Sequence, residues 1–243
     1  MLLLEKLSIA VENKNIIQDL SLNFELGKNY CLLGKNGSGK SSLAMAIMGH
    51  PSYEVTNGKL LVNNGIEDID VLELDPHERA KLGIFVAFQT IPEIKWVKLF
   101  EFLRAIYNAT LGQNLSFVQF KKHILPLCDA LKINTEFLRR DVNVGFSGGE
   151  RRKIEMLQLK LLNPKYIFLD EVDSGLDVDA FRDVANMIQE LNTTENTFII
   201  ITHYFTILDY VPVDQVYVLE SGKIVKEGDI NVAFEIKEKG FNE

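Results

Sequence analysis

The residues Gly34-Lys35-Asn36-Gly37-Ser38-Gly39-Lys40-Ser41 fit the pattern G-x-x-x-x-G-K-[ST]. Glycines at these positions let the backbone curl until several N–H groups converge on one phosphate, at the positive end of the helix that follows. Lys40 is then placed to reach the β- and γ-phosphates of ATP, the Ser41 hydroxyl to bind Mg2+, and Ser42 to close the run. Such a loop needs a carboxylate for the metal. Tyr166-Ile167-Phe168-Leu169-Asp170-Glu171 supplies one, an apolar run ending in two acids. Asp170 suits Mg2+, held through water, while Glu171 suits the orientation and activation of an attacking water.

Phe146-Ser147-Gly148-Gly149-Glu150 is a second anion cradle, with backbone N–H groups and a hydroxyl at a helix start. One fold rarely needs two cradles for one nucleotide. The pentapeptide resembles the signature, commonly Leu-Ser-Gly-Gly-Gln, of ATP-binding-cassette proteins. That resemblance implies that Ser147, Gly148 and Gly149 of one copy close over the γ-phosphate held by the phosphate loop of another, giving an ATP-dependent homodimer. It also implies that Gln89 is the Q-loop glutamine, a contact for Mg2+ and water. Ser174-Gly175-Leu176-Asp177 matches the D-loop, and His203 falls where the family has its switch histidine against the γ-phosphate. Many transporter ATPases stack an aromatic residue on adenine. Val11 stands there in this chain, so the resemblance implies weak stacking or stacking supplied elsewhere.

Tyr53-Glu54-Val55-Thr56-Asn57-Gly58, Gly83-Ile84-Phe85-Val86-Ala87-Phe88-Gln89, Asn143-Val144-Gly145, Asp173 and Ile201-Thr202-His203-Tyr204 narrow the likeness. With Glu150 in place of Gln, they resemble the SufC family, the cassette ATPases of the SUF machinery for iron–sulfur cluster assembly. The resemblance implies SufB/SufD-type scaffold partners, docked through the Q-loop and a helical insertion and rearranged by ATP-driven closure. Lys95-Trp96-Val97-Lys98 replaces the Pro-Gly usual after the Q-loop, and Ile154 a usual Asn. Trp96 is either a docking residue or a helix-packing tryptophan. Arg151-Arg152-Lys153 is a basic run beside the signature, and one of its members, with Arg152 the one to test, is a candidate to pair with Glu171 in the resting subunit. The alternative load is a membrane transporter, whose ATPase subunits share every catalytic motif. Cassette proteins acting on ribosomes or DNA usually carry two cassettes or a coiled-coil insertion, and this chain shows no heptad run.

Elements able to position these groups can be read from periodicity. Alternation marks strands at 2–11 and 21–26, and continuous apolar runs mark covered strands at 30–33, 83–89, 166–169 and 197–201. Helical spacing appears at 43–48, from Leu99, at 116–131, from Gly148, and through Phe181, Val184, Met187, Ile188 and Leu191. The order is α/β. With the resemblance, it implies a P-loop NTPase core with an antiparallel β subdomain and an inserted helical subdomain. One ATPase domain is expected over 1–243, with the core at 1–90 and 141–243 and the helical part at about 91–140 plus the signature helix.

A length of 243 residues that are 47% hydrophobic is enough for a full core, and 25% charged residues argue against disorder. The net charge of −8 disfavours broad nucleic-acid binding. Met1-Leu2-Leu3-Leu4 is cut off by Glu5 and Lys6, too short for a signal peptide or a bilayer span, so no direct membrane insertion is expected. Cys31 and Cys128 lie far apart among apolar residues. They read as reduced thiols in a cytoplasmic protein and not as a cluster ligand set.

Overall fold

A computed structural model describes residues 1–203 and 205–241, so Tyr204 lies outside the described residues. In chain order the elements are β1 (Leu2–Val11), β2 (Lys14–Phe24), β3 (Tyr30–Leu33), α1 (Lys40–Met48), β4 (Glu54–Asn63), β5 (Asp68–Asp70), α2 (Pro76–Lys81), β6 (Ile84–Ala87), β7 (Ile94–Lys98), α3 (Leu99–Leu111), α4 (Phe117–Ala130), β8 (Asp141–Val142), α5 (Gly148–Leu162), β9 (Tyr166–Asp170), α6 (Val178–Leu191), β10 (Thr197–Ile201), β11 (Gln215–Glu220), β12 (Lys223–Gly228) and α7 (Ile230–Lys239). They divide into two compact units. The first holds residues 1–87, 164–172 and 192–243, the second 88–163 and 173–191.

The first unit carries two sheets. One is antiparallel in the order β2-β1-β4-β5. Leu2, Leu4, Leu7 and Ile9 of β1 are fully buried. The step of three between Leu4 and Leu7 marks a register shift where Lys6 adopts a positive φ of 47°, a bulge that resets the pleat. Expected over 21–26, the second strand instead begins at Lys14, because the hairpin with β1 pairs Val11 with Lys14.

The other sheet runs β12-β11-β3-β10-β9-β6, parallel throughout except for the edge strand β12. Every residue of β3, β9 and β10 is buried, as a parallel strand covered on both faces requires. Phe24 meets Tyr30 and Phe168 edge-on, at centroid distances of 5.0 and 5.9 Å, and Tyr30 stacks on Tyr217. Helix α7 packs Val232, Ala233 and Ile236 against Cys31, Leu33, Val216 and Val218. The strand read at 83–89 is confined to Ile84–Ala87, so Gln89 lies beyond the last paired residue.

The second unit is mainly helical. Ser116 caps α4 in a reciprocal box with Gln119, which fixes the start of the helix read at 116–131. Phe100, Phe117 and Phe120 cluster, with centroids 4.5 and 5.3 Å apart. The short pair β7–β8, whose strands flank α3 and α4 in the chain, is pinned by Asp141, whose carboxylate accepts from the Trp96 amide at 2.9 Å and from Lys98 Nζ at 2.8 Å. Trp96 is 91% exposed, which removes its helix-packing alternative. Among the described residues, no helix is long and apolar enough to cross a membrane.

Candidate functional site

Strand β3 ends at Leu33 and the chain turns at once into the phosphate loop. Gly34 has no room for a side chain, since a Cβ there would stand 2.2 Å from the Leu219 carbonyl oxygen and 2.7 Å from Ser38 Oγ. Gly39 caps α1 with φ 110° while Ile16 and Ile17 of β2 lie against it. Lys35, Asn36 and Gly37 are exposed and Ser38 is buried. From α1, Lys40 Nζ donates to the Gly34 and Lys35 carbonyls at 2.8 and 3.0 Å, so the ammonium sits within the curl of the loop. Burial lowers the Lys40 pKa, an effect opposed by the charges of Glu171 and Asp170. Ser42 follows on the same first turn of α1, half-buried.

Ser41 Oγ donates to Asp170 Oδ1 at 2.9 Å, joining α1 to the end of β9. Both are hard oxygen donors of the kind magnesium takes. Magnesium keeps several waters and shares the substrate phosphates, so two protein oxygens beside a phosphate cradle fit it. Glu171 is 9% exposed, with a left-handed backbone at φ 48°. A non-glycine residue held there is strained, a state typical of functional positions. Its amide donates to the Ile201 carbonyl at 2.8 Å, and its Oε1 meets His203 Nε2. Strands β9 and β10 are parallel neighbours with Asp170 opposite Ile201, so their carboxyl ends bring Glu171 and His203 together. The first unit thus assembles Lys40, Ser41, Asp170, Glu171 and His203.

Two supports for this cluster were missing from the sequence reading. The tip of the β11–β12 hairpin reaches the phosphate loop, where the Gly222 amide donates to the Ser38 carbonyl at 3.2 Å. The Ser221-Gly222 dipeptide is the turn signal that marks it. Arg79 of α2 is 6% exposed and donates to the Ala46 and Ile47 carbonyls, each at 3.0 Å, and to Leu74 O at 2.8 Å. It adds side-chain donors to carbonyls of the last turn of α1, where helical donors run out.

The second unit holds Gln89 and the signature. Gln89 is exposed beyond β6. Ser147 caps α5, its Oγ accepting from the Glu150 amide at 3.3 Å while Glu150 Oε2 accepts from the Ser147 amide at 2.7 Å. Glu150 thereby closes a capping box, and Ser147 and Gly148 stay exposed at the helix start. Gly149 is spatially required, because a Cβ there would stand 2.9 Å from Ala180 Cβ of α6. Asp177 caps α6 by accepting from the Ala180 amide at 2.8 Å.

Each member of the basic run has an acidic partner within the second unit. Arg151 pairs with Glu93 at 2.5 Å, Arg152 with Glu155 at 2.5 Å and Lys153 with Asp183 at 2.6 Å. Within the first unit Glu171 meets His203. Arg152 and Glu155 are three apart on one helix, neighbours on its surface.

Residues 17–174 match the sequence profile of the family described as ABC transporter. The probable ATP-dependent transporter ycf16 of Antithamnion sp. is 42% identical, with 98% of this chain and 95% of the relative covered. The probable ATP-dependent transporter SufC of Escherichia coli (strain K12) is 40% identical, covering 99% of this chain and 97% of its own length. A dimeric ATP-binding cassette solved in a post-hydrolysis state with ADP and Pi superposes with a TM-score of 0.79 at 19% identity. It covers 95% of this chain and 99% of its own, a likeness of fold. A nucleotide-free ATP-binding cassette from an ABC transporter gives a TM-score of 0.75 at 25% identity, covering 94% and 91%.

Proposed function

The chain belongs to the ATP-binding-cassette family as an ATPase of the SufC type, and from that premise we propose that it is the ATP-hydrolysing subunit of a SUF iron–sulfur cluster assembly complex. On this reading it is a single cassette domain, cytoplasmic, with SufB/SufD-type scaffold subunits as partners. It binds no nucleic acid and does not enter the membrane. One observation carries the hydrolytic part: Ser41–Asp170 and Glu171–His203 form two linked pairs beside the phosphate loop.

Gly34 to Gly39 wrap the phosphates with backbone N–H groups, and Lys40 exchanges its loop carbonyls for phosphate oxygens of ATP. Ser41 and Asp170 would hold Mg2+, and the family resemblance would add Gln89. When bound, Mg2+ would supply positive charge to offset that of the phosphates. Glu171 takes the proton of the attacking water, and His203 keeps that carboxylate in place while facing the γ-phosphate. Ser147, Gly148 and Gly149 of a second copy close over the same phosphate, so ATP holds two copies together and its hydrolysis releases them. The exposure of Ser147 and Gly148 at the start of α5 supports that role. Closure of the pair would rearrange the scaffold.

Recovering the tagged chain from its native cells with ATP present, followed by mass spectrometry, tests the load. SufB/SufD-type proteins in near-stoichiometric amount are the expected result. Recovery of membrane-spanning subunits instead would replace this reading with transport.

A further inference from the structure

The signature helix does more than present its N-terminus. One and a half turns in from Ser147, α5 carries Arg152 and Glu155, with side chains only 3% and 5% exposed. Beyond each other, their partners lie outside the helix. Glu155 Oε1 accepts from the Phe88 amide at 3.1 Å, and its Oε2 accepts from Arg152 Nη1 at 2.5 Å. Arg152 Nη1 also donates to the Phe88 carbonyl at 2.8 Å, and Nη2 to the Gln89 carbonyl at 3.2 Å. Two buried, opposite charges therefore grip the backbone on both sides of the Phe88–Gln89 peptide. Charge-assisted hydrogen bonds out of contact with water are strong and geometrically selective. Burial raises the Glu155 pKa, and the adjacent Arg152 charge opposes that rise.

We infer that Arg152 and Glu155 are positioning residues that hold Gln89 to the signature helix, so that the glutamine moves whenever the signature does. The inference rests on the proposed function, in which Gln89 serves the nucleotide bound to its own chain and the signature serves that of the second copy. The latch then links the two nucleotides of a closed dimer. A displacement of α5 as it meets the partner's γ-phosphate is transmitted to Gln89. This assigns the buried pair a task distinct from stability. Simple core packing could be met by two apolar residues of similar volume.

Glu155→Gln keeps size and one acceptor while removing the charge, and Arg152→Lys keeps the charge while removing the fork. For each, hydrogen exchange at residues 86–92 and steady-state ATPase kinetics are measured on the full chain, alone and in a cycle with Gln89→Ala. Exchange at Phe88 and Gln89 should quicken by about tenfold or more while that of β3 and α1 is unchanged. The kcat should fall by about tenfold or more with KM for ATP within about twofold, and the double variants should fall no further than Gln89→Ala alone. Unchanged exchange at 86–92 in both variants overturns the latch, as do fully additive losses in the cycle. If exchange quickens but Gln89→Ala hydrolyses ATP normally, the latch stands as a structural tie and the assigned role of Gln89 fails. Should Glu155→Gln not fold, Arg152→Lys carries the same comparison.

Discussion

His203 Nε2 meets Glu171 Oε1, and two residues before that histidine the Ile201 carbonyl accepts the Glu171 amide at 2.8 Å. Glu171 is thus tied twice to the end of β10, once through its side chain and once through its backbone. A carboxylate held at a left-handed φ of 48° needs such support to keep one orientation.

Glu171→Gln removes the proton acceptor and keeps the shape. Turnover should fall by about two to four orders of magnitude while ATP binding persists. The variant should accumulate as an ATP-bound dimer in size-exclusion chromatography. A monomer at saturating ATP with its scaffold partner present would refute the two-copy site.

Gly149→Ala drives a methyl group toward Ala180 Cβ, 2.9 Å away. Helices α5 and α6 must part, at a cost of about 1–3 kcal/mol, visible as a lower thermal midpoint. ATP-driven dimerisation should weaken in parallel. Ala180→Gly in the same chain should restore dimerisation, even though a helical glycine costs about 1 kcal/mol.

Val11 lies half-buried at the β1–β2 hairpin, where the family resemblance puts an adenine-stacking residue. Val11→Tyr should tighten binding of ATP and ADP by about two- to tenfold, the worth of one aromatic contact at about 0.5–1.5 kcal/mol. Binding titrations with ATP and with inorganic triphosphate separate the effect. Only the ligand carrying the base should gain, and an equal gain for both would place the adenine elsewhere.

Trp96 stands 91% exposed on a backbone with φ 66°. That exposure leaves it the docking candidate read from the sequence. Trp96→Ala should weaken scaffold retention by about thirtyfold or more, the effect of an interface hot spot near 2 kcal/mol. Undiminished affinity in a pull-down titration would remove Trp96 from the interface.

Burial pushes the Cys128 thiol up from 9.0 to about 11. Between these two values the unfolded chain has released the proton and the folded chain still holds it. Stability from this group is therefore complete below pH 9 and is lost as pH rises toward about 11. Urea midpoints across that range should decline, and Cys128→Ala should flatten the first part of the fall. Burial also raises Tyr166 and Tyr217 from 10.0 to about 12, so a second decline begins later and survives in the variant.

The phosphate loop and the paired acids were legible because each depends on local chemistry: glycines where the backbone must curl, carboxylates where a buried strand ends. The signature was legible for the same reason, and Glu150 proved to be a capping partner. Long-range choices were harder. Charge alone does not say which carboxylate Arg152 meets, although its i,i+3 spacing to Glu155 was visible. Strand β12 is mostly exposed and shows no clear period, so it escaped notice together with the hairpin tip that touches Ser38. Arg79 escaped as well, because a lone arginine in a polar stretch gives no hint that it will be buried against the carbonyls of another helix.

Strand β3 takes both of its neighbours from far along the chain, with Tyr30 opposite Ile199 on one side and Gln215 on the other. During synthesis, then, the phosphate loop emerges early on a sticky apolar strand with two open edges. Pairing has to wait until β10 and β11, far along the chain, have left the ribosome. Such a chain is exposed to aggregation throughout that interval, and a nascent fragment ending before β10 carries every residue of the loop without the scaffold to shape it.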